Sequence, residues 1–376
     1  MTDTGQLSVK KEEALVSSEL QNCPVFDLSV RRAEELIPNF PTTRYYGSKK
    51  RLLPWIYNNL KNIPFNTVLD GFGGTSSVSL LFKAMGKNVT YNDALLSNGI
   101  SAKALLSNDI KLSKSDFISF FESIEPVKGF IFKNFSGKYY IDEENKWLDG
   151  AIQTISLESE ENKNIFLYCL FQACLQKRPF NLFHRANLNL RLNDVPQSFG
   201  NQKTWDTPFI ELAIRAFLEL QKAMVPSISP YTVLEPTDVS DLPTGFDLVY
   251  LDPPYINLKN NGDDYLKRYH FLEGLSQYNE WPNLVDPKFK TLQFKKQKHT
   301  FEWNHKGYFK TRLFALIEKH KESTVVLSYV DNAFPSQIEL ESFFTNTFNK
   351  TQVVKQELPH ALSKGKKSEL LFIGRP

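Results

Sequence analysis

The sequence predicts an α/β fold in which a doubly wound, mainly parallel sheet is interrupted by one mostly helical insertion. Three observations predict it. Thr67-Val68-Leu69-Asp70 is a short β-favouring run that leads through Gly71-Phe72-Gly73-Gly74 into a helical stretch from 76 to about 85, and Asn88-Val89-Thr90-Tyr91-Asn92-Asp93 follows as a second strand. This is one strand–helix–strand unit of a parallel sheet. From about residue 100 to 227 the β-rich runs vanish, and the pattern turns helical with Asn-rich and Phe-rich stretches. Strand-like runs then return at 231–234, 248–251, 324–329 and 370–373, with a helix over 309–320 ahead of the third. Upstream, residues 51–60 form a short helix with Leu52, Leu53, Ile56 and Leu60 on one face, and Pro64 separates it from the first strand. Residues 1–40 are predicted as a partly disordered N-terminal extension.

A chain of 376 residues has room for about two domains, and 41% hydrophobic with 23% charged residues excludes wholesale disorder. No apolar run approaches the roughly 18 residues of a membrane helix, so no membrane partner is expected. The first nineteen residues are polar and lack a secretory apolar stretch, which points to a cytoplasmic protein. Cys23, Cys169 and Cys174 are too few and too irregular for a disulfide framework or a zinc site, so no metal is expected. The net charge of +3 is small, but its distribution is uneven. No Asp or Glu lies between Asn162 and Asn193, where Lys163, Lys177, Arg178, Arg185 and Arg191 fall, and a second acid-free stretch carries Lys288, Lys290, Lys295, Lys296 and Lys298. Such excess suits a phosphate-contacting surface, and a solvated charged face would read the same.

Two motifs carry chemistry. The glycine loop after the first strand lets backbone approach a ligand, and Asp93, about twenty residues on, suits a ribose diol. The loop is neither G-x-G-x-x-G nor a phosphate loop, so an adenosine without phosphate fits better than a dinucleotide; a structural turn is the plain alternative. Asp252-Pro253-Pro254-Tyr255 closes the apolar run Phe246-Asp247-Leu248-Val249-Tyr250-Leu251. The prolines fix φ and hold Asp252 and the next carbonyl in a rigid extended turn, leaving the Tyr255 ring for stacking. An Asp-Pro-Pro is also an ordinary strand terminator. The combination suits chemistry on an exocyclic amine, whose two hydrogens the Asp252 carboxylate and the Pro253 carbonyl can accept.

Taken in order, Tyr45-Tyr46-Gly47-Ser48-Lys49, then Asp70-Gly71-Phe72-Gly73-Gly74-Thr75-Ser76, then a basic insertion, then Asp252 to Tyr255, the chain resembles the Dam-type adenine-specific DNA methyltransferases of the alpha subgroup over about residues 41 to 376. The resemblance implies a Rossmann-like S-adenosylmethionine-dependent fold, a mainly parallel seven-stranded sheet with a C-terminal β-hairpin. The catalytic domain would span 41–99 and 228–376, with a target-recognition domain inserted over 100–227. It implies Asp252, Pro253, Pro254 and Tyr255 as catalytic, and Tyr46, Gly47, Lys49, Asp70, Phe72, Gly73, Gly74, Asp93, Asp238 and Asp252 as S-adenosylmethionine-binding, with Asp93 on the ribose and Asp238 near the adenine. An N-cap is the alternative for Asp238. Two positions depart from the family: Gly71 stands where Pro is usual, and Ser76 where the last Gly is usual.

Lys177-Arg178-Pro179-Phe180-Asn181-Leu182-Phe183-His184-Arg185-Ala186-Asn187 is similar to the family's DNA-reading stretch, and Val195-Pro196 to Gly200 to the segment after it. Lys177, Arg178, Asn181, Arg185, Asn187 and Arg191 are therefore the candidates for contact with double-stranded DNA, and the Lys288 to Lys298 cluster for its backbone. The target adenine would be flipped out onto Tyr255. The resemblance further implies a bacterial or phage-associated enzyme of a restriction-modification system, with a cognate endonuclease acting separately. Methylation of cytosine N4 is the nearest rival, although that group more often has Ser in place of Asp252; a DNA-binding module with impaired catalysis is the other.

Overall fold

The structure is a computed structural model that describes residues 33–178, 182–193, 202–225, 227, 229–258, 261–358 and 367–376, and within it residues 33–376 form one compact unit. Seven strands build the main sheet: β1 (Thr67–Asp70), β2 (Asn88–Tyr91), β3 (Tyr231–Val233), β4 (Leu248–Leu251), β6 (Thr324–Val330), β8 (Lys350–Leu358) and β9 (Lys367–Arg375). Their spatial order is β3-β2-β1-β4-β6-β9-β8, parallel from β3 through β6 and antiparallel across β9 and β8. A small second sheet pairs β5 (Ile256–Asn257) with β7 (Ala333–Phe334).

The central strands read as continuous apolar runs because both sheet faces are covered. Alternate residues go to opposite sides. Val68, Leu248, Tyr250, Val326 and Leu371 face one core with α1 (Leu53–Leu60) and α2 (Ser77–Ala84); Leu69, Val249, Leu251, Val325 and Phe372 face another. The second face is covered by helices of the C-terminal half, whose ranges are α11 (Lys306–Lys319) and α12 (Gln337–Thr347). Residues 33–40, expected within the partly disordered extension, instead bury Ala33, Leu36, Ile37 and Phe40 in the first core.

Between β2 and β3 run α3 (Leu96–Leu105), α4 (Lys114–Glu122), α5 (Phe130–Phe135), α6 (Asp142–Ile155), α7 (Glu160–Gln176) and α8 (Phe209–Ala223). They share a third core rich in stacked phenylalanines, such as Phe117 on Phe217 at 4.2 Å between centroids. The segment after β5 joins that core: α9 (Tyr265–Ser276) contributes Tyr269, Phe271 and Leu272, and α10 (Lys298–Asn304) lies further on. Among the described residues no helix is long and apolar enough to cross a membrane. The hairpin partner β8 is a polar edge strand, which is why its own residues did not announce it.

Candidate active site

Strand order reverses between β1 and β4: the chain runs outward through β2 and β3 on one side, then restarts at β4 on the other. Open α/β sheets bind ligands at the carboxyl ends of the strands flanking such a point. Asp70 ends β1 and Asp252 follows β4, and both line one cleft together with Phe72, Gly73, Gly74 and Asp93.

The glycine loop is shaped by its neighbours. A Cβ at Gly73 would lie 2.1 Å from the Tyr91 ring, whose hydroxyl donates to the Gly74 carbonyl at 2.8 Å, so only glycine fits there. Gly71 replaces the family's proline for a local reason. Its N–H donates to the Tyr250 carbonyl at 3.0 Å, and a Cβ would meet Val239 at 2.9 Å. Ser76 sits at φ 59°, the left-handed region that favours glycine, and is fully buried. The Asp70 carboxyl accepts from Ser79 at 2.6 Å, yet burial pushes it up to about 7. Asp93 accepts from Gly74 N–H, Leu95 N–H and the Asn98 amide, and burial raises it against those bonds.

Four polar side chains converge at this turn: Asp252, Lys49, Tyr255 and Glu369. The Lys49 ammonium lies 2.8 Å from each Asp252 oxygen and 2.6 Å from the Tyr255 hydroxyl. That hydroxyl is 3.1 Å from Asp252 Oδ1 and 2.9 Å from Glu369 Oε2 on β9. Burial works against the Lys49 charge, but Asp252 and then Glu369 outweigh it and hold the group above its ordinary value. Burial also lifts Asp252, with Lys49 and Tyr255 opposing. The Tyr255 ring meets Tyr329 edge to face at 5.2 Å. Tyr255 was expected to act through its ring; here its hydroxyl is also tied in.

The rest of the lining sharpens and corrects the expectations. Asp238 does not line the cleft. Its carboxylate caps the turn Val239–Asp241 and accepts from the Trp303 indole N–H at 3.1 Å, and Arg312 pairs with it behind. Burial would raise Asp238, but those partners outweigh it and hold it below the usual range. Trp303 does line the cleft, edge to face with Phe72 at 5.0 Å. Tyr45 is the more enclosed of the tyrosine pair, stacked on Tyr269 at 4.1 Å, whereas Tyr46 stands 48% exposed at the rim under the Arg268 guanidinium, 4.4 Å away. Gly47 lines the cleft at φ 84°. Aromatic walls and carboxylates, with the lysine already paired, suit an uncharged nucleoside carrying a positive group better than a phosphate ester.

Of the basic candidates in the insertion, three turn inward. Lys177, 1% exposed, pairs with Glu144 at 2.8 Å and donates to the Trp205 and Thr207 carbonyls; Arg191 grips Glu144 through both nitrogens at 2.6 and 2.7 Å. Arg178, also 1% exposed, donates to the Leu182 and Arg185 carbonyls and lies over Tyr139, and burial lowers it to about 10. These groups tie the segment after the long helix α7 to its surroundings, because a buried cation must find acceptors. Asn187 is partly buried, with its side-chain oxygen enclosed and without a hydrogen-bond partner; Asn181 and Val195 to Gly200 lie outside the described residues. Arg185 is exposed. Burial and then the cations Arg268, Arg185, Lys267 and Arg178 hold His184 below its usual range, so Lys267 and Arg268 of α9 share one positive region with Arg185. Phe183 N–H donates to the Arg268 carbonyl at 2.9 Å, fixing the two segments together. Lys267, Arg268 and Glu369 had no motif to mark them.

Two relatives resemble the chain along most of its length. It is 27% identical over 350 residues to the Type II methyltransferase M2.HphI of Haemophilus parahaemolyticus, covering 89% of this chain and 98% of that one. It is 26% identical over 322 residues to the modification methylase StsI of Streptococcus sanguinis, covering 79% of this chain and 45% of that longer protein. The family profile of D12 class N6 adenine-specific DNA methyltransferases matches residues 45–328, from the tyrosine–glycine–lysine segment through Asp252–Tyr255 to the end of β6. The chain therefore belongs to the D12 class of N6 adenine-specific DNA methyltransferases.

Proposed function

We propose that the methyl donor is S-adenosylmethionine, that it lies along the glycine loop, and that the adenine amine is activated at Asp252. One observation carries the reading: a single cleft at the sheet's reversal point is lined by Asp70, Phe72, Gly73, Gly74, Asp93, Asp252 and Tyr255. S-adenosylmethionine supplies an electrophilic sulfonium methyl. Asp93 holds the ribose hydroxyls, Phe72 and Trp303 wall the nucleoside's base, and Asp70 and Lys49 flank the amino-acid end. The Asp252 carboxylate and the Pro253 carbonyl accept the two hydrogens of the target amine, so its lone pair is directed at the methyl instead of into the ring. Tyr255 stacks on the flipped adenine, which offsets part of the unstacking cost. The amine proton released on transfer passes to the Asp252 carboxylate or to water.

Double-stranded DNA approaches over Arg185, Lys267, Arg268 and the exposed Tyr46, with the exposed lysines at 288, 290, 295 and 298 along its backbone. The protein serves as the modification arm of a restriction-modification system, with an endonuclease acting separately. The relatives named as a Type II methyltransferase and a modification methylase support that role. The test is to methylate unmodified bacterial genomic DNA with S-adenosylmethionine labelled on the methyl group, then identify the base and map its sequence context. N6-methyladenine in one short context, absent with Asp252→Ala, is expected; label on cytosine, or an active Asp252→Ala protein, would overturn the reading.

A further inference from the structure

The Tyr255 hydroxyl has one hydrogen and two carboxylates within reach, Glu369 Oε2 at 2.9 Å and Asp252 Oδ1 at 3.1 Å. It already accepts from the Lys49 ammonium at 2.6 Å, so it cannot receive a second strong donor without losing its own direction. Where that hydrogen goes decides how much of Asp252 is left. Directed to Asp252, it would occupy Oδ1, which Lys49 also contacts at 2.8 Å. Directed to Glu369, it leaves Oδ1 a lone pair facing the cleft.

Glu369 is placed for this by the sheet. It sits on β9 opposite Val330 of β6, is only 8% exposed, and reaches the Asp252 turn from the strand pair next to β4. Its carboxylate also acts on the Lys49 ammonium, and of the two carboxylates it makes the shorter contact with the Tyr255 hydroxyl.

We infer that Glu369 is a positioning residue for methyl transfer: it draws the Tyr255 hydroxyl proton away from Asp252, keeping an acceptor free for the target amine and fixing the ring on which the base stacks. The inference rests on Asp252 accepting the amine hydrogens. A glutamine at 369 can donate to the tyrosine oxygen, and the hydroxyl hydrogen then turns to Asp252.

The test uses the full chain, unmodified bacterial genomic DNA and labelled S-adenosylmethionine, in single-turnover methylation. Glu369→Gln is expected to slow transfer about tenfold, the scale of one redirected hydrogen bond, with S-adenosylmethionine affinity and melting temperature unchanged. Glu369→Asp, which keeps an acceptor, should retain more of the rate. The deciding readout is Tyr255→Phe: once the hydroxyl is gone, adding Glu369→Gln should change the rate less than about twofold. Independent, multiplicative losses in the double variant, or a normal rate for Glu369→Gln, would overturn the inference. Asp252→Asn separates the two layers. If it is inactive while Glu369 and Tyr255 act independently, only the role of Glu369 falls; if it is fully active, the reading of Asp252 falls and the inference with it.

Discussion

Two buried clusters of cation and carboxylate, in different parts of the chain, use the same ingredients to opposite ends. In the helical segment between β2 and β3, Glu144 is held by both Lys177 and Arg191 at 2.6 to 2.8 Å. Although burial raises its carboxyl, Arg191 and Lys177 overcompensate and leave it below the ordinary range. At the end of β4, Asp252 has the single cation Lys49, is pushed above its ordinary range by burial, and faces a cleft. A saturated carboxylate is a clamp, while an undersaturated one beside open space retains capacity for a substrate. The difference teaches that burial and pairing alone do not separate the two carboxylates; the number of partners does.

The comparison can be broken most decisively at its two acids. Replacing Asp252 with Ala is expected to cut methyl transfer by about 10³-fold; Lys49 keeps the Tyr255 hydroxyl and Glu369 as partners, so the protein should still fold, with a smaller loss of stability than at Glu144. Glu144→Ala should do the reverse, because it strands two buried cations: a loss of about 3 kcal/mol in denaturant unfolding, with the activity of the remaining folded protein largely kept. Equal effects on rate and stability at both positions would erase the distinction.

Asp70 sharpens it through pH. Its folded value of about 7 lies above the ordinary carboxylate value, so the folded state holds a proton that the unfolded state has lost. Stability contributed by the protonated group is therefore lost as pH rises from near 4 through 7, and is flat above. Relative to Asp70→Asn, the natural protein should lose on the order of a few kcal/mol between pH 5 and 8; parallel curves would show that Asp70 titrates normally.

At the rim, Arg185 is exposed, while Arg268 is half-buried, pairs with Asp263 and lies over Tyr46; their effect should appear chiefly in DNA affinity. Arg185→Ala and Arg268→Ala are each expected to weaken DNA binding by about tenfold and to lower the salt slope by about 1, measured by titration at several salt concentrations. An unchanged slope would return these residues to the solvated surface. The smallest expected effect is Ser76→Gly, which relieves a left-handed φ, raising stability by about 0.5–1 kcal/mol in denaturant unfolding.

Much of this was legible in one dimension because it depends on neighbours in sequence. The β-rich run before Gly71, the glycines at 73 and 74, Asp93 after β2 and the turn Asp252 to Tyr255 each encode local backbone, and their order points to the family; the point where the sheet reverses came from the fold. Asp238 was legible in type but not in direction: its Asp-favoured cap was weighed, and the structure has the cap. The basic run in the insertion misled for a physical reason. A cluster of Lys and Arg reads as surface in sequence, and only the distant Glu144, with the carbonyls of Trp205, Thr207 and Leu182, reveals that Lys177, Arg178 and Arg191 have internal partners.

By itself, then, the sequence determined the strand and helix periodicity, the glycine loop, the proline-stiffened acidic turn and, through their order, the family. Tertiary structure alone decided that Lys49 meets Asp252 from 203 positions away, that Glu369 reaches Tyr255 across 114, that Trp303 walls the cleft, and that Arg268 and Arg185 both act on His184. Local propensities act over a few residues, so they specify elements. The protonation and reach of a buried group are set by whichever charges the folded sheet brings within a few ångströms, and no spacing in the chain carries that information.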